Sequence, residues 1–140
     1  MKLCYIAAPF FNATEINRII HAETILQAKG ITVFSPRNHQ DTSSPFGTLP
    51  WQIKTFSTNL YYLNHIDFLF AIYDDEDAGT MWEIGYAYAI GKPIILFSEL
   101  QPRINLMIAQ SIHAYLHTWD QVQHYNFRLL PRIPYQGPIY

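Results

Sequence analysis

Short apolar runs alternate along this chain with longer segments of helical periodicity, and this alternation limits the folds open to it. The runs are rich in strand-forming residues and predict buried strands: "KLCYIAA", "ITVFSP", "FLFAIYD" and "IILFSE". The segments that follow them predict helices: "NATEINRIIHAETILQAKG", "WQIKTFSTNLYYLNHID", "TMWEIGYAYAIG" and "RINLMIAQSIHAYLH". Strands that alternate with helices form βαβ units with right-handed crossovers and a parallel sheet. We therefore expect an α/β fold with helices on both faces of the sheet.

Length and helix signals refine this expectation to one domain spanning residues 1–140, with a flavodoxin-like or Rossmann-like parallel sheet. The apolar content of 49% and the aromatic content of 16% suffice for a folded core. Asn12 and Glu15 have the spacing of a capping box at the start of the first helix. Gly30 suits the end of that helix. The aromatic tail "NFRLLPRIPYQGPIY" is too apolar to be solvated cheaply, so we expect it to pack against the body.

Charge and composition exclude several classes of partner. The net charge is −2 and there is no basic run, which argues against nucleic acid or an anionic membrane surface as a partner. No apolar run approaches the length of a membrane span. The N-terminal "MKLCYIAAPFF" does not have the pattern of a signal peptide. Cys4 is the single cysteine, which excludes a disulfide framework and predicts a buried structural thiol. We expect a cytoplasmic protein.

A site is expected at one edge of the sheet, because ligands of such folds bind beyond the carboxyl ends of the strands. Three polar or aromatic segments lie there: "APFFN", "SPRNHQ" and "YDDEDAGT". The loop of residues 37–50 is long enough to suggest a functional role. The acidic segment is thus on the face where chemistry is expected.

Glu83 is the carboxylate whose position most needs an explanation, since it lies among Trp82, Ile84 and Tyr86. One interpretation is structural, because Thr80-x-x-Glu83 has the spacing of a capping box at a helix start. The other is chemical. Aromatic neighbours would desolvate the carboxylate, and Asp77 supplies a second carboxylate nearby, as in retaining glycosidases. The other acids of this turn are expected to be mostly solvated.

Metal and phosphate sites have weaker support. His113 and His117 are four residues apart and could share a helix face, as metal ligands do, but no HExxH pattern surrounds them. No glycine-rich phosphate loop is present. His39 lies beside Gln40 and is expected to be a solvated loop residue. We expect no metal and no cofactor.

Several segments together resemble the nucleoside 2-deoxyribosyltransferase family over nearly the whole chain. They are "YIAAPFF", "SPRNHQ", "NLYYLNHID", "DAGTMWEIGYAYAIGKPI", "INLM" and the final "GPIY". The combination of D-x-G-x-x-x-E-x-G-Y-A with a later N-L-M is specific. The resemblance implies exchange of a 2-deoxyribosyl group between nucleobases by double displacement, with purine or pyrimidine 2′-deoxynucleosides and free bases as substrates.

By position, the resemblance implies that Glu83 is the nucleophile that forms a covalent deoxyribosyl-enzyme. Tyr5 would orient this carboxylate and Asp77 would hold a sugar hydroxyl. Phe11 would help to wall the base pocket and Gln40 would touch the base.

The resemblance also implies a homo-oligomer, a hexamer built from dimers. Asn105 and Met107 match residues that complete the site of a neighbouring subunit. Tyr140 matches a residue near the pocket.

One position departs from the family pattern. Relatives carry an Asp, thought to protonate the leaving base, where this chain has Asn59, and an amide can bind the base but cannot deliver a proton. Asp77, another acid or water would then serve.

Two alternatives to transfer stay open. One is an N-glycosidase that hydrolyses deoxynucleosides or deoxynucleoside 5′-monophosphates. Its monophosphate form would need serine-rich phosphate contacts where this chain has "APFFN" and "GYAYA". The other is a non-catalytic nucleotide-binding module.

Overall fold

Five parallel strands form a single sheet in the order β2-β1-β3-β4-β5 in this computed structural model, which describes residues 2–140. The strands are β1 (Leu3–Ala7), β2 (Thr32–Phe34), β3 (Phe68–Ile72), β4 (Ile94–Phe97) and β5 (Ala114–Leu116). The helices are α1 (Ala13–Ala28), α2 (Leu49–His65), α3 (Ala78–Ala89), α4 (Leu106–Ser111) and α5 (Trp119–His124). A short 3₁₀ turn, Pro36–Asn38, follows β2. This strand order is that of flavodoxin-like folds, so the predicted α/β class is confirmed.

The two faces of the sheet are covered by different helices, because successive side chains of a strand point to opposite sides. Cys4 and Ile6 of β1 pack in the core that contains the buried residues of α1 and α5. Tyr5 and Ala7 pack in the other core, which contains those of α2, α3 and α4. Tyr5 therefore points toward the side of the sheet that carries α3.

Local signals define the first helix as the sequence predicts. The Asn12 side chain accepts a hydrogen bond of 2.9 Å from the Glu15 backbone N–H. The Glu15 carboxylate accepts from the Phe11 backbone N–H, one residue before the expected partner. Gly30 has a φ of +80°, a conformation that glycine adopts without steric cost at a helix end.

The prediction of one helix over "RINLMIAQSIHAYLH" is wrong. Only Leu106–Ser111 is helical, and Ala114–Leu116 is the edge strand β5, parallel to β4. The physical reason is a change of period: Ile112, Ala114 and Leu116 are buried and alternate with more accessible residues, which is a strand pattern.

Helix α5 and the tail complete the fold. Helix α5 was not predicted from the sequence, although Thr118 and Gln121 form a complete capping box at its start. The tail does pack against the body, as predicted. Ile133 pairs with Ala114 and Ile139 pairs with Ile104. From residue 2 to residue 140, no helix has both the length and the apolar character that crossing a membrane requires.

Candidate functional site

A cavity of about 370 Å³ opens at the carboxyl ends of the strands, where the fold predicts a site. Its size lies within the range of about 300–1,000 Å³ that is usual for small-molecule sites. The segments after β1, β2 and β3 contribute Ala8, Pro9, Phe10, Phe11, Pro36, Gln40 and Asp77. Helix α2 contributes Trp51, Thr55, Phe56, Asn59, Leu60 and Leu63, and α3 contributes Gly79, Trp82 and Glu83.

Glu83 and Tyr5 form a hydrogen-bonded pair beside this cavity. Tyr5 is fully buried on the face of β1 that packs against α3, and its hydroxyl donates to Glu83 Oε2. Glu83 precedes Ile84, a member of the buried stripe of α3, so its side chain lies at the border between core and cavity. The strand thus holds the carboxylate in one orientation and leaves it accessible from the cavity.

The surroundings of Glu83 change its acidity. Burial raises the pKa of Glu83 to about 7, the bond from Tyr5 lowers it, and the negative charge of Asp77 raises it. Burial also raises the pKa of the Tyr5 phenol, and so does the charge of Glu83. Tyr5 therefore remains a hydrogen-bond donor. A carboxylate with a pKa near neutrality in a cavity is a candidate nucleophile or proton carrier.

Asp77 is the N-cap of α3, and this removes the capping-box interpretation of Glu83. Asp77 Oδ2 accepts hydrogen bonds of 2.9 Å from both the backbone N–H and the hydroxyl of Thr80. Helix α3 begins at Ala78, so Thr80 and Glu83 both lie inside the helix and neither caps it. Asp77 also lines the cavity, which leaves its second oxygen for a ligand.

The remaining acids of the turn do not enter the cavity. Asp74 is buried and forms an ion pair with Arg18, and Glu99 lies 3.5 Å from the same guanidinium. Asp75 and Glu76 are exposed, as expected. The chemistry of this segment is thus concentrated in Asp77 and Glu83.

Three of the residues expected to bind substrate line the same cavity. They are Phe11, Gln40 and Asn59, from the three elements that surround its mouth. Phe11 is 79% exposed in the single chain, so its ring forms a rim and not a closed wall. Asn59 Oδ1 is buried and has no hydrogen-bond partner within residues 2–140.

The other three expected residues lie outside the lining of this cavity. Asn105 is the N-cap of α4 and its side chain accepts from the Met107 backbone N–H. Met107 is 73% exposed. The Tyr140 hydroxyl lies 3.1 Å from the Tyr73 hydroxyl. Within one chain, none of the three lines the cavity that contains Glu83.

Most of the cavity wall on α2 was not predicted from the sequence. Trp51, Thr55, Asn59 and Leu63 are spaced four residues apart and all line the cavity. This spacing defines one face of a helix. The residues four and eight positions before Asn59 and four positions after it could therefore also have been predicted to line the cavity. Trp82 also lines the cavity and stacks on Tyr86, with ring centroids 5.3 Å apart.

A larger depression of about 680 Å³ lies at the opposite end of the sheet, near the starts of β1 and β2. It contains Lys2, Lys29 and Arg128 among its lining residues, and no carboxylate. Within residues 2–140 its lining offers no carboxylate nucleophile, so the smaller cavity is the candidate for catalysis.

The histidines do not form a metal site in the described chain. His113 and His117 flank β5 in extended backbone, where four residues span about 13 Å, so the helix-face hypothesis is wrong. His113 Nε2 lies 2.6 Å from the Leu130 carbonyl and His117 Nδ1 lies 2.8 Å from the Ser98 carbonyl. His39 Nδ1 lies 3.0 Å from the Ser35 carbonyl, outside the cavity lining. Cys4 is buried, as predicted.

Comparison with known proteins agrees with this geometry. The family model described as nucleoside 2-deoxyribosyltransferase matches residues 4–115. A nucleoside deoxyribosyltransferase of Limosilactobacillus fermentum is 31% identical over 142 aligned residues, which cover 88% of this chain and 84% of that protein.

Solved structures give the same relationship. The 2-deoxyribosyltransferase of Bacillus psychrosaccharolyticus superposes with a TM-score of 0.92 and 41% identity, covering 96% of this chain and 99% of that one. A CMP N-glycosidase of Clostridium botulinum has a TM-score of 0.59 and 21% identity, covering 84% of this chain and 89% of that one, which shows a shared fold alone. The match over most of the chain, together with the Tyr5–Glu83 pair in its cavity, shows that this protein belongs to the nucleoside 2-deoxyribosyltransferase family.

Proposed function

We propose that this enzyme exchanges the 2-deoxyribosyl group between nucleobases through a covalent intermediate on Glu83. The observation that carries this proposal is the Tyr5–Glu83 pair, because it supplies an oriented carboxylate beside a cavity of the right size. Family membership and the names of the two close relatives support the reaction class.

The first step uses Glu83 as the nucleophile. A Glu83 oxygen attacks the anomeric carbon, the bond to the base breaks, and its electron pair leaves with the base. Positive charge builds on the sugar as the bond breaks, and the adjacent carboxylate stabilises it. A nitrogen of a second base then attacks the same anomeric carbon, the C1′–O bond breaks, and its electron pair returns to the Glu83 carboxylate, which completes the double displacement.

Tyr5 and Asp77 hold the reacting groups in place. The Tyr5 hydroxyl occupies one oxygen of Glu83 and so presents the other to the cavity. Asp77 is fixed by its two bonds from Thr80, and its free oxygen can accept a hydrogen bond from a sugar hydroxyl. Such positioning lowers the entropic part of the activation barrier.

The base is held by aromatic side chains and an amide that line the cavity. Phe11, Phe56 and Trp82 offer ring faces, and Gln40 offers an amide for a base edge. A bound base and these rings would exclude water from the intermediate, which favours transfer over hydrolysis.

The cavity is better suited to a nucleoside than to a nucleoside monophosphate. Among residues 2–140, the lining contains no Lys, Arg or His that could pair with a phosphate, while it contains two carboxylates that would repel one. This argues against a deoxynucleoside monophosphate hydrolase.

The test is a chromatographic assay with 2′-deoxyinosine or thymidine as donor and free adenine as acceptor, with a control that lacks the acceptor. We expect 2′-deoxyadenosine to appear faster than the donor is lost to free sugar. Free base without a new nucleoside would identify a hydrolase, and no reaction with any donor would favour a binding module.

The Glu83→Ala variant tests the assignment of the nucleophile. We expect it to fold and to lose turnover, whereas Asp120→Ala, which removes an exposed carboxylate on α5, keeps wild-type turnover. If Glu83→Ala retained more than about a hundredth of the wild-type rate, Glu83 would not be the nucleophile.

A further inference from the structure

Within residues 2–140, Asp77 is the one carboxyl group besides Glu83 that lines the cavity, so it is the first candidate for the acid that would protonate the leaving base. Besides Glu83, the polar side chains of the cavity are Gln40, Thr55, Asn59 and Asp77. The first three are amides or an alcohol, which form hydrogen bonds but do not release protons at neutral pH. Apart from Glu83 and Asp77, the cavity therefore offers hydrogen bonds to a base from amides and an alcohol.

Asp77 is poorly placed to act as that acid. One of its oxygens accepts two hydrogen bonds from Thr80, and the residue caps the N-terminus of α3. Its role as the helix cap therefore already engages Asp77 as a hydrogen-bond acceptor.

Neighbouring donors are also occupied elsewhere. The Tyr5 hydroxyl donates to Glu83. His39, which adjoins Gln40, lies outside the cavity lining, and its Nδ1 faces the Ser35 carbonyl. Neither Tyr5 nor His39 lines the cavity.

Asn59 occupies a central place on the cavity face of α2. Thr55 lies one turn before it and Leu63 one turn after it on the same face. Within the described chain, no hydrogen bond to its Oδ1 is formed, and Thr55 Oγ1 is likewise buried without a partner. Buried polar atoms are normally paired, so these two atoms indicate a place where a ligand or water completes the bonding.

We propose that, because this enzyme has Asn59 at this position, its preference among donors follows how readily the base leaves. The C1′–N bond then breaks without a proton from the protein. This inference rests on the proposed transferase function. The C1′–O bond to Glu83 forms as the C1′–N bond breaks, and the electron pair stays on the base nitrogen. The base leaves as an anion and takes its proton from water, or leaves neutral if solvent has already protonated its ring.

Asn59 stabilises this departure through its amide without transferring a proton. An N–H of the amide can donate to the ring nitrogen or carbonyl on which negative charge collects. The preferred donors are then deoxynucleosides with acidic or readily protonated bases.

The experiment measures kcat/KM at one pH for donors that share the sugar and differ in the acidity of the base. The purine series is 2′-deoxyadenosine, 2′-deoxyinosine and 6-chloropurine 2′-deoxyriboside. The pyrimidine series is thymidine, 2′-deoxyuridine and 5-fluoro-2′-deoxyuridine. With the wild-type protein, we expect kcat/KM within a series to rise roughly five- to tenfold for each unit by which the base becomes more acidic.

Asn59→Asp is the informative variant, because a carboxylic acid at this place could share its proton with the base. We expect a shallower dependence on base acidity and a gain of about a hundredfold for the poorest leaving group. Asn64→Asp is the matched control on the same helix: Asn64 lies outside the cavity lining and accepts from the Tyr86 hydroxyl, which an aspartate can also do, and the variant loses only the exposed bond from Asn64 Nδ2 to the Leu60 carbonyl. The control should keep the wild-type slope.

The outcomes separate this inference from the proposed function. An active wild-type enzyme with a shallow slope would overturn the inference and leave the transferase intact. A folded Asn59→Asp that keeps the steep slope would overturn the role of Asn59. If Asn59→Asp does not fold, Asn59→Ala replaces it and should keep the steep slope, since no proton is lost. No turnover of any donor would overturn the proposed function itself.

Discussion

Glu83 occupies a position that favours chemistry at the expense of stability. Its pKa is raised to about 7, so the folded chain binds a proton there more tightly than the unfolded chain does. Stability must then fall as the pH rises from the ordinary value of 4.5 to about 7, and the full cost persists above that window. The shift corresponds to roughly 3 kcal/mol.

Glu83→Gln should therefore stabilise the protein at alkaline pH while it abolishes turnover. The amide carbonyl can still accept the bond from Tyr5, but it carries no charge to desolvate. We expect the variant to exceed the wild type in unfolding free energy at about pH 8 and to differ little from it at about pH 5. Urea unfolding at the two pH values measures this. If the difference in unfolding free energy were the same at both pH values, the effect would come from packing and not from ionisation of Glu83.

Tyr5→Phe should shift the pH dependence of turnover. The Tyr5 hydrogen bond lowers the pKa of Glu83, so its removal raises that pKa and leaves less of the ionised nucleophile at neutral pH. We expect kcat/KM to fall about tenfold or more at pH 7 and by less at pH 9, with the acidic limb displaced to higher pH. A loss of equal size at every pH would show that Tyr5 acts only by orienting the carboxylate.

At the scale of elements, the cap of α3 serves both the helix and the site. Asp77→Asn keeps a good N-cap and removes the negative charge, whereas Asp77→Ala removes both. We expect Asp77→Ala to lose about 1 kcal/mol of stability and Asp77→Asn a few tenths, and both to lose activity because the proposed contact with the sugar uses the carboxylate.

Thr118→Ala is the control for this prediction, since Thr118 caps α5 outside the cavity lining. It should lose similar stability and keep its kcat/KM. The measurements are urea unfolding and initial rates. If Asp77→Asn were as active as the wild type, the charge of Asp77 would have no role in catalysis.

The sequence predicted most of the elements because their patterns are local. The apolar runs of β1, β3 and β4 and the caps near Asn12 and Gly30 each act over a few residues. The edge strand β5 was missed because its three residues follow a helix without a break in apolar character. Glu83 was found through its aromatic neighbours, but Thr55 and Trp51 belong to the cavity only because α2 lies against it. That contact depends on tertiary packing. The pairing of Tyr5 with Glu83, which are 78 residues apart in the sequence, could be proposed only from the resemblance to the family.

At the scale of the molecule, the single chain leaves large apolar side chains exposed near the site. Leu49, Ile53 and Phe56 on α2 are each more than half exposed, and so is Met107 on α4. Exposed apolar patches of this kind often mark protein–protein contacts. We propose that the enzyme is a homo-oligomer, a hexamer built from dimers, in which Asn105 and Met107 of one subunit complete the site of its neighbour.

This arrangement predicts complementation between two inactive variants. Glu83→Ala lacks the proposed nucleophile and keeps Met107, while Met107→Glu keeps Glu83 and would place a charge in the neighbouring site. After the two proteins are unfolded together and refolded, mixed assemblies should contain sites with Glu83 from one chain and Met107 from the other. We expect turnover to return in the mixture and not in either variant refolded alone. Sedimentation must show that both variants still assemble; assembled mixtures without activity would show that each site is built from one chain.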